Sequence, residues 1–472
     1  MADQVPLCAL CSRQIAGEAN ADKVKLVEKP HECCLCFGIL NPDFIQQVSE
    51  EANRLFASQQ YDSNTFILAL SLPVSQTLRE TLILKRYPEF NGILHTVPFK
   101  IRNVNTYIDK LGDASNIRPT LASDLQLLIA FENDEFNESD LAFCRRHFPN
   151  EVRPPRKRKF HHQNGDSEQE SVEMSRCQLQ QINNRITKDI AEKYSFVSPS
   201  RPCTYKLSLE RDAIYIAGRY MKFSRTLPQS PWTVDEDKNA QPEPGNSVSE
   251  KIKNVLEREF GASESRFNTS GREDIDVRML GEGRPFCVEM RDCKRTKQLR
   301  GVEYIETLQK LEDEMNRTMK DVKVRELTRV KREEAEKMAV GADEKRKWYS
   351  AHCYSTLPLT DEAICKALQA IPVQLVQKTP IRVLKRRSLL DRPRTIYSMD
   401  ILRQDSNHFL LRLETQAGTY VKEFVHGDFG RTRPSLANLL GVENGEVDIL
   451  ELDVEKVDQV WPPKREKPHY FS

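Results

Sequence analysis

Two cysteine pairs near the start of the chain constrain its folding more than any other feature. Cys8 and Cys11 form one Cys-x-x-Cys pair, and Cys33 and Cys36 form a second pair about twenty residues later. This spacing is typical of a closed zinc site, in which each pair turns both of its sulfurs toward one ion. Because four thiolates fill every position of a tetrahedral ion, the sequence predicts a structural metal rather than a catalytic one.

The metal assignment leaves alternatives open. Cys34 could replace Cys33, and His31 also lies nearby, although the spacing of Cys33 and Cys36 fits better. The cysteines could also be reduced residues of an apolar core, where free cysteine packs well. The chain has 12 cysteines and no basic-then-apolar leader at its start, so we expect reduced thiols and metal ligands rather than a disulfide framework.

Length and composition indicate a globular protein with more than one domain. The 472 residues are enough for two or three cores, and 39% hydrophobic with 30% charged residues is ordinary for a soluble chain. The longest apolar run, near residues 66–74, is too short to span a bilayer, so we expect a soluble, intracellular protein without a membrane partner. The net charge is only +1, so local clusters have to carry any argument for a nucleic-acid partner.

The segment 41–150 has a mixed helix and strand pattern. Apolar spacing predicts helices after Asn41 and over 75–84, and strands over 65–72 and 125–131. Its apolar positions are those of a core, and no reactive constellation is evident in it. We interpret this segment as an accessory or binding module.

A basic run at residues 153–159, RPPRKRK, begins a polar stretch that extends to about Glu173. Five cations beside two prolines cannot be buried together, so this segment should be a solvated linker. Its functional interpretation is a nuclear localisation signal or a nucleic-acid contact.

The segment that follows is predicted to lead into a second domain. A helix is expected over 174–194, and 203–209 and 213–217 alternate like paired strands. Next comes 218–232, GRYMKFSRTLPQSPW, where cations alternate with aromatic residues as on an RNA-binding surface. The alternative is a strand whose aromatic side chains face a core. The polar segment 233–247 is a reasonable domain boundary.

The stretch 266–291, RFNTSGREDIDVRMLGEGRPFCVEMR, is the main candidate for a reactive site. It places acidic residues between arginines before a predicted half-buried strand. A cationic neighbour keeps a carboxylate ionised where water is excluded. Gly271, Gly281 and Gly283 suggest turns that let the backbone approach a ligand closely. A salt-bridged surface turn is the alternative.

A local excess of positive charge lies between Lys378 and Arg394. Seven Lys or Arg residues in this segment face one acid, Asp391. The imbalance is invisible in the whole-chain charge and is the best local indication of a polyanionic partner.

Three separated motifs together resemble the catalytic motifs of the pseudouridine synthases: GRED at 271–274, KWY at 347–349 and GTYVK at 418–422. The longer runs GREDIDVRMLGEGRPF, TQAGTYVKEFVHGDFGRT and GRYMKFSRTLPQSPW resemble the archaeal and eukaryotic Pus-ten family of tRNA pseudouridine synthases. The resemblance extends from the cysteine pairs to the end of the chain.

The resemblance implies an α+β chain and an isomerisation. A THUMP-type accessory domain with a zinc site would precede a catalytic domain built on a mixed, mostly antiparallel sheet flanked by helices. Uracil would be detached from its ribose, rotated and rejoined through carbon five. The family acts at positions 54 and 55 of tRNA, in the TΨC arm, with no organic cofactor.

The resemblance also assigns roles to individual residues. Asp274 would be the catalytic aspartate, Tyr349 would pack on the flipped base, Tyr420 would face the substrate and Lys422 would be the basic partner of the aspartate. Arg272 would contact substrate. The carboxylate could be a nucleophile at the anomeric carbon or a base at the neighbouring carbon, and the sequence does not choose.

Two neighbouring residues qualify these assignments. Trp348 stands beside Tyr349 where a smaller residue is expected, which leaves the identity of the contacting ring open. Asp276 is interpreted as structural and is the alternative reactive acid.

The sequence offers two alternatives to the isomerase function. A metal-dependent nuclease could use Asp276, Glu289 and either Arg291 or Lys294, but Arg291 stands where its lysine is needed. A non-catalytic RNA-binding protein could use the same surfaces, although the intact carboxylate, both tyrosines and Lys422 argue against a degenerate site.

The sequence therefore predicts two parts. Residues 1–245 would be an accessory RNA-binding domain, with a zinc module over about 1–40 and a flexible linker over about 151–173. Residues 246–472 would be the catalytic domain. We expect a monomer that acts on tRNA, with other structured RNAs left open, in the nucleus, the cytoplasm or both, and with a mitochondrial location also left open.

Overall fold

The computed structural model describes most of the chain and divides it into two compact units, Met1–Asp212 and Ala213–Ser472. The described residues are 4–114, 117–152, 174–231, 246–301, 303–340, 345–384 and 387–463. The basic run at 153–159 lies outside them, so its interpretation as a localisation signal stays a prediction.

The first unit contains two small sheets covered by helices. Its strands are β1 (Val5–Leu7), β2 (Val24–Leu26), β3 (Thr65–Ser71), β4 (Arg118–Pro119), β5 (Leu125–Glu132) and β6 (Thr204–Arg211). Its helices are α1 (Ala9–Cys11), α2 (Pro42–Gln59), α3 (Val74–Arg86), α4 (Phe99–Ala114), α5 (Asn137–His147), α6 (Arg176–Asn183) and α7 (Lys188–Ala191). Strands β1 and β2 pair in parallel, and in the described residues the other four strands are ordered β4-β3-β5-β6.

Local sequence signals set most elements of the first unit. The Asn41 side chain accepts hydrogen bonds from the backbone of Asp43 and Phe44, which caps α2 at its predicted start. The apolar residues of β3 alternate between buried and half-buried positions, as its sequence predicts. The single helix predicted over 174–194 is wrong in one respect, because the segment forms the two shorter helices α6 and α7.

The second unit contains one large sheet with helices packed on it. Its strands are β7 (Ile214–Lys222), β8 (Glu264–Thr269), β9 (Arg278–Arg291), β10 (Val322–Val330), β11 (Arg346–Ser355), β12 (Val373–Lys378), β13 (Asp391–Arg403), β14 (His408–Gln416), β15 (Thr432–Arg433) and β16 (Val447–Val457). Its helices are α8 (Val248–Phe260), α9 (Glu303–Thr318), α10 (Arg332–Val340), α11 (Asp361–Gln369), α12 (Val421–His426) and α13 (Leu436–Leu440).

The large sheet is mixed and mostly antiparallel, as predicted. Its strand order is β10-β7-β9-β16-β11-β14-β13-β12-β15, with β8 added on β9. Strands β9 and β16 run parallel, and the other pairings within the described residues are antiparallel. The parallel contact is short, so β9 is free to pair with β7 along most of its length.

The division between the units falls before the predicted boundary at residue 245. The prediction that 203–209 and 213–217 form paired strands is wrong. Strand β6 pairs with β5 in the first unit, whereas β7 pairs with β9 and β10 in the second. The alternating pattern identifies both strands correctly, but pairing depends on partners distant in sequence.

Two glycines of β9 serve the sheet. A Cβ on Gly281 would lie 2.0 Å from the Glu455 carbonyl oxygen, and one on Gly283 would lie 2.6 Å from that of Tyr220. Both have positive φ, at 57° and 79°. They lie in β9 between Met279 and Arg284, where the register with β7 shifts, and a side chain at either would meet the backbone of a neighbouring strand. The close approach that these two glycines permit is therefore to neighbouring strands, and the expected approach of a ligand stays a prediction.

In the described ranges, no helix is both long enough and apolar enough to span a bilayer.

Candidate active site

The loop between β8 and β9, residues 270–277, carries the two acids singled out in the sequence. We refer to it as the aspartate loop. The carboxylate of Asp274 accepts a hydrogen bond from Nη1 of Arg382 at 2.9 Å, and its Oδ2 lies 3.8 Å from Nζ of Lys422. Lys422 is closer to Asp276, at 2.6 Å. The fold therefore gathers two acids and two cations that are far apart in the chain.

Asp274 is accessible, as a reactive group has to be. About half of its side chain is exposed, at 45%, while Lys422 is exposed by only 19%. Burial opposes the ionisation of Asp276, but the hydrogen bond and charge of Lys422 outweigh it and lower the pKa of Asp276. Both acids face solvent, with 45% of Asp274 and 62% of Asp276 exposed, but Asp276 is bound directly to Lys422 whereas Asp274 lies between Arg382 and Lys422.

Arg382 is a site residue that the motif resemblance did not identify. It lies in the basic segment 378–394, which indicated only a polyanionic partner. Its Nε donates to the buried carboxylate of Glu423 at 2.7 Å, and its Nη1 reaches Asp274. Because the Glu423 bond orients the guanidinium, Arg382 is held in place toward Asp274. The sequence signal for Arg382 was indirect: its partner Glu423 directly follows Lys422, the last residue of the GTYVK motif.

A buried ion pair supports the aspartate loop from below. Nε of Arg284 donates to Glu273 at 2.7 Å, and both side chains are almost completely buried, with 1% and 0% exposed. The Tyr220 hydroxyl bonds the same carboxylate at 2.8 Å, and Gln229 donates to the Gly271 carbonyl at 3.2 Å. Arg284 also donates to the Ser270 carbonyl at 2.9 Å. The residue immediately before Asp274 is therefore fixed from several directions.

Basic side chains of the run GRYMKFSR hold the carbonyls of the same loop. Nζ of Lys222 donates to the carbonyls of Asp274 at 3.1 Å and Ile275 at 2.8 Å, and to that of Leu227 at 3.0 Å. Nη1 of Arg225 donates to the next carbonyl, Asp276, at 3.0 Å. Cations therefore bind the carbonyl oxygens of three consecutive residues, Asp274, Ile275 and Asp276.

The RNA-binding interpretation of this run is therefore wrong for its three buried members, and it stays a prediction for Phe223, Arg225 and Trp232, the last of which lies outside the described residues. Arg219, Tyr220 and Lys222 are buried. Arg219 donates to the carbonyls of Glu282 and Gly283, which fix the bend in β9. Charged residues look exposed by composition, but here backbone oxygens satisfy their donors inside the unit.

Lys222 gives the site a pH dependence. Burial lowers the pKa of Lys222 to about 8 although Glu273, Asp276 and Asp274 oppose the shift. A neutral amine has two N–H donors for three carbonyls. We expect the single-turnover rate of the family's reaction to fall as the pH rises, with a midpoint near pH 8. The rate is measured on wild-type protein with saturating RNA.

The same deprotonation changes stability in the opposite direction. Between about pH 8 and the unfolded pKa of 10.5, the unfolded chain holds the Lys222 proton more tightly than the folded chain. This group's contribution to stability therefore rises with pH in that window while the rate falls. A rate that stays level from about pH 7 to pH 9 would contradict the role of the ammonium.

The two tyrosines lie on different elements of the site. Tyr349 is on β11, packs partly against the core, and has its pKa raised to about 12 by burial, with Arg284 and Glu273 also acting on it. Tyr420 precedes α12, and its backbone N–H and carbonyl both bond the side chain of Gln377 at 2.9 Å. Arg272 is exposed on the aspartate loop.

The neighbouring ring, Trp348, points elsewhere. Successive side chains of a strand face opposite sides of the sheet, and Nζ of Lys456 lies 4.8 Å from the Trp348 ring. Tyr349, by contrast, lies near Arg284 and Glu273 beneath the aspartate loop. The geometry therefore favours Tyr349 as the ring on the side of the aspartate loop.

The residues of the nuclease alternative fall into separate ion pairs. Asp276 bonds Lys422, Glu289 bonds Arg291 at 2.9 Å, and Lys294 bonds Asp292 at 2.9 Å. Within the described residues, these acids therefore do not form a group that could hold the metal ion of a metal-dependent nuclease.

The four cysteines of the two pairs converge in the first unit. In the described residues, the Sγ atoms of Cys8, Cys11, Cys33 and Cys36 all lie within 4.8 Å of one another. The Sγ atoms of Cys8 and Cys36 are 3.7 Å apart, and an ideal tetrahedron of 2.3 Å zinc–sulfur bonds has edges of about 3.8 Å. Cys34 is buried but lies outside the group. The donor set can hold a metal ion, and it contains Cys33 rather than Cys34.

The chain is similar in sequence to known proteins along most of its length. The family model described as "Pus10, C-terminal" matches residues 215–458. A frog relative, "tRNA pseudouridine synthase Pus10" of Xenopus laevis, is 34% identical over 462 residues, which cover 94% of this chain and 83% of that protein. A relative of the same name from the archaeon Pyrococcus furiosus is 35% identical over 292 residues, covering 58% of this chain and 69% of the relative.

Other matches are shorter or weaker. The mouse protein of the same name is 43% identical over 268 residues, which cover 56% of this chain and about half, 48%, of the mouse protein. Among solved structures, a Cbf5-Nop10-Gar1 complex matches with a TM-score of 0.26 and 14% identity, covering 50% of this chain and 61% of that chain. The sequence relatives therefore carry the comparison.

Proposed function

This chain belongs to the Pus10 family of tRNA pseudouridine synthases, and we propose that it converts uridine to pseudouridine in the TΨC arm of tRNA, at position 54, position 55 or both. The observation that carries the proposal is the half-exposed carboxylate of Asp274 between Arg382 and Lys422. It rests on a loop whose backbone is held by buried groups.

In the proposed reaction, Asp274 acts on the sugar of a uridine that has left its stack. The bond between the anomeric carbon and N1 breaks, the uracil rotates, and a bond from the anomeric carbon to C5 replaces it. C5 then loses its proton and N1 gains one, so the product is an isomer of the substrate. Asp274 is either the nucleophile at the anomeric carbon or the base at the neighbouring carbon. Either role requires a carboxylate that the substrate can reach, and Asp274 presents one between Arg382 and Lys422.

The other residues position the base and the acid. Tyr349 packs on the flipped uracil, and Tyr420 and Arg272 contact the substrate. Lys422 donates to Asp276 at 2.6 Å, so we assign Asp276 to holding Lys422 and Asp274 to the reaction. Arg382 directs its guanidinium at Asp274 from the fixed carboxylate of Glu423.

The test is direct mapping of the product. Recombinant protein is incubated with an unmodified tRNA transcript, and pseudouridine is mapped at single-nucleotide resolution. Transcripts with cytidine at position 54 or at position 55 separate the two sites. Product at neither position with wild-type protein would refute the proposed site specificity.

We further propose that the four-cysteine group binds a structural zinc ion in an accessory RNA-binding domain of THUMP type. The convergence of four thiolates and the edge length support the metal. The first unit, with its sheet of β3 to β6 under helices, supports a separate domain. The zinc supplies folding energy to the module around β1 and β2.

Removing one ligand should release the metal. We expect Cys36→Ser to lose bound zinc and to lower the thermal midpoint of the first unit, because three thiolates bind more weakly. Cys34→Ala is the matched control, since Cys34 is buried beside the site but lies outside the group. Zinc content is measured by elemental analysis, and zinc retained in Cys36→Ser would refute the ligand set.

A further inference from the structure

The turn that follows α12 presents an aromatic ring to solvent in an unusual backbone conformation. Residues 427–430 have four consecutive positive φ angles: 80°, 45°, 54° and 79°. The outer two are glycines, but the inner two are Asp428 and Phe429. The Phe429 side chain is 90% exposed. Burial of the ring therefore does not account for this residue in the left-handed region.

The surrounding structure holds the turn firmly. The Asp428 N–H donates to Nδ1 of His426 at 3.0 Å, and the Thr432 N–H donates to the Gly427 carbonyl at 3.2 Å. Nε of Arg433 donates to the Gly430 carbonyl at 3.0 Å. Unfavourable backbone conformations that are over-determined in this way concentrate at functional sites.

The turn is connected to the proposed active site by short structural links. Helix α12 begins at Val421, just before Lys422 and Glu423, and ends at His426, about 9 Å along its axis. Nη2 of Arg431 donates to the Thr379 carbonyl at 2.7 Å, in the segment that leads to Arg382. Phe429 is therefore joined by short segments of the chain to both Lys422 and Arg382.

Several cations lie on the turn or on the segments bonded to it. Arg431 and Arg392 both contact Thr379, and Arg433 bonds the turn itself. Lys378 is exposed on the adjoining strand β12. Exposed leucines nearby, such as Leu389 and Leu390, would also suit a protein partner. An aromatic ring among cations favours RNA, because cations bind phosphates and a ring stacks on an unpaired base.

We propose that Phe429 is an RNA-binding residue that stacks on an unpaired base of the substrate next to the uridine that reacts. This inference rests on the proposed function, because it takes the substrate to be a folded RNA with unpaired bases. Phe429 stacks from a turn whose backbone is already set, so little ordering is needed on binding.

The test compares two substitutions of Phe429 with a matched control. In Phe429→Ala, the affinity for an unmodified tRNA transcript should fall about tenfold. The rate at saturating protein should stay near the wild-type value. In Phe429→Trp, the affinity should be retained, and tRNA should quench more tryptophan fluorescence than in wild-type protein. The control Ile305→Ala removes an apolar side chain that is 47% exposed on α9, at the β10 edge of the sheet.

A blunt-ended RNA duplex of two complementary strands gives the second comparison. Phe429→Ala should bind it as wild-type protein does, since a duplex offers no unpaired base. Unchanged tRNA affinity in Phe429→Ala would overturn the inference, as would an equal loss of affinity for the duplex. Binding is read without catalysis, so an inactive wild-type protein would refute the proposed function while leaving this comparison decisive for Phe429.

Discussion

Asp274→Asn is expected to lower the single-turnover rate of pseudouridine formation by about 10³- to 10⁴-fold. Asparagine keeps the size of the side chain and can still accept from Arg382, but it can act neither as a nucleophile toward the sugar nor as a base. The affinity for tRNA should change by less than about threefold, because phosphate contacts dominate binding. The rate is measured by quench-flow with product mapping, and affinity by fluorescence anisotropy.

The matched control for this substitution is Asp276→Asn. Asp276 is two residues away, also carries a carboxylate, and is bonded to Lys422 at 2.6 Å. Its replacement should free Lys422 and reduce the rate by only about tenfold. A large loss in Asp276→Asn with normal activity in Asp274→Asn would transfer the reactive role to Asp276.

Breaking the buried ion pair beneath the loop should have the largest effect on stability. We expect Arg284→Met to lower the free energy of unfolding of the second unit by about 3–5 kcal/mol, because it leaves the Glu273 carboxylate buried without its cation. It also removes the donor to the Ser270 carbonyl. Urea unfolding monitored by circular dichroism gives the free energy.

An exposed pair on the same sheet supplies the comparison. Nε of Arg266 lies 3.3 Å from Glu264, and the two side chains are 57% and 51% exposed. Arg266→Met should therefore cost less than about 1 kcal/mol. The double variant Glu273→Gln with Arg284→Met should lose less stability than the sum of its single variants, since each single variant leaves a buried charge without its partner and the double variant leaves none. Equal small losses in Arg284→Met and Arg266→Met would contradict a supporting role for the buried pair.

Local patterns predicted the secondary structure because they depend on neighbours in sequence. The cap at Asn41 and the alternation in β3 each follow from a few adjacent residues. Pairing did not follow, since nothing in residues 203–217 specifies that β6 and β7 join different sheets. Their partners are chosen by contacts far along the chain.

The sequence likewise predicted only part of the candidate site. The resemblance of three motifs identified Asp274, Lys422 and the tyrosines as site residues, and their catalytic roles stay a prediction. It did not reveal Arg382, which is 108 residues from Asp274 in sequence and looks like any other cation of its basic run. Its role depends on Glu423 fixing its guanidinium, a contact made only in the folded chain.

By itself, the sequence determined the family, the four cysteines that converge and most of the helices and strands, because each of these depends on residue type at short or recurring spacing. Tertiary structure alone decided which charges are buried. Lys222 and Arg219 belong to a run that looks suited to RNA, yet backbone carbonyls of distant segments satisfy their donors. A buried cation is tolerated only where such acceptors surround it, and the order of residues in the chain does not show where carbonyls will meet.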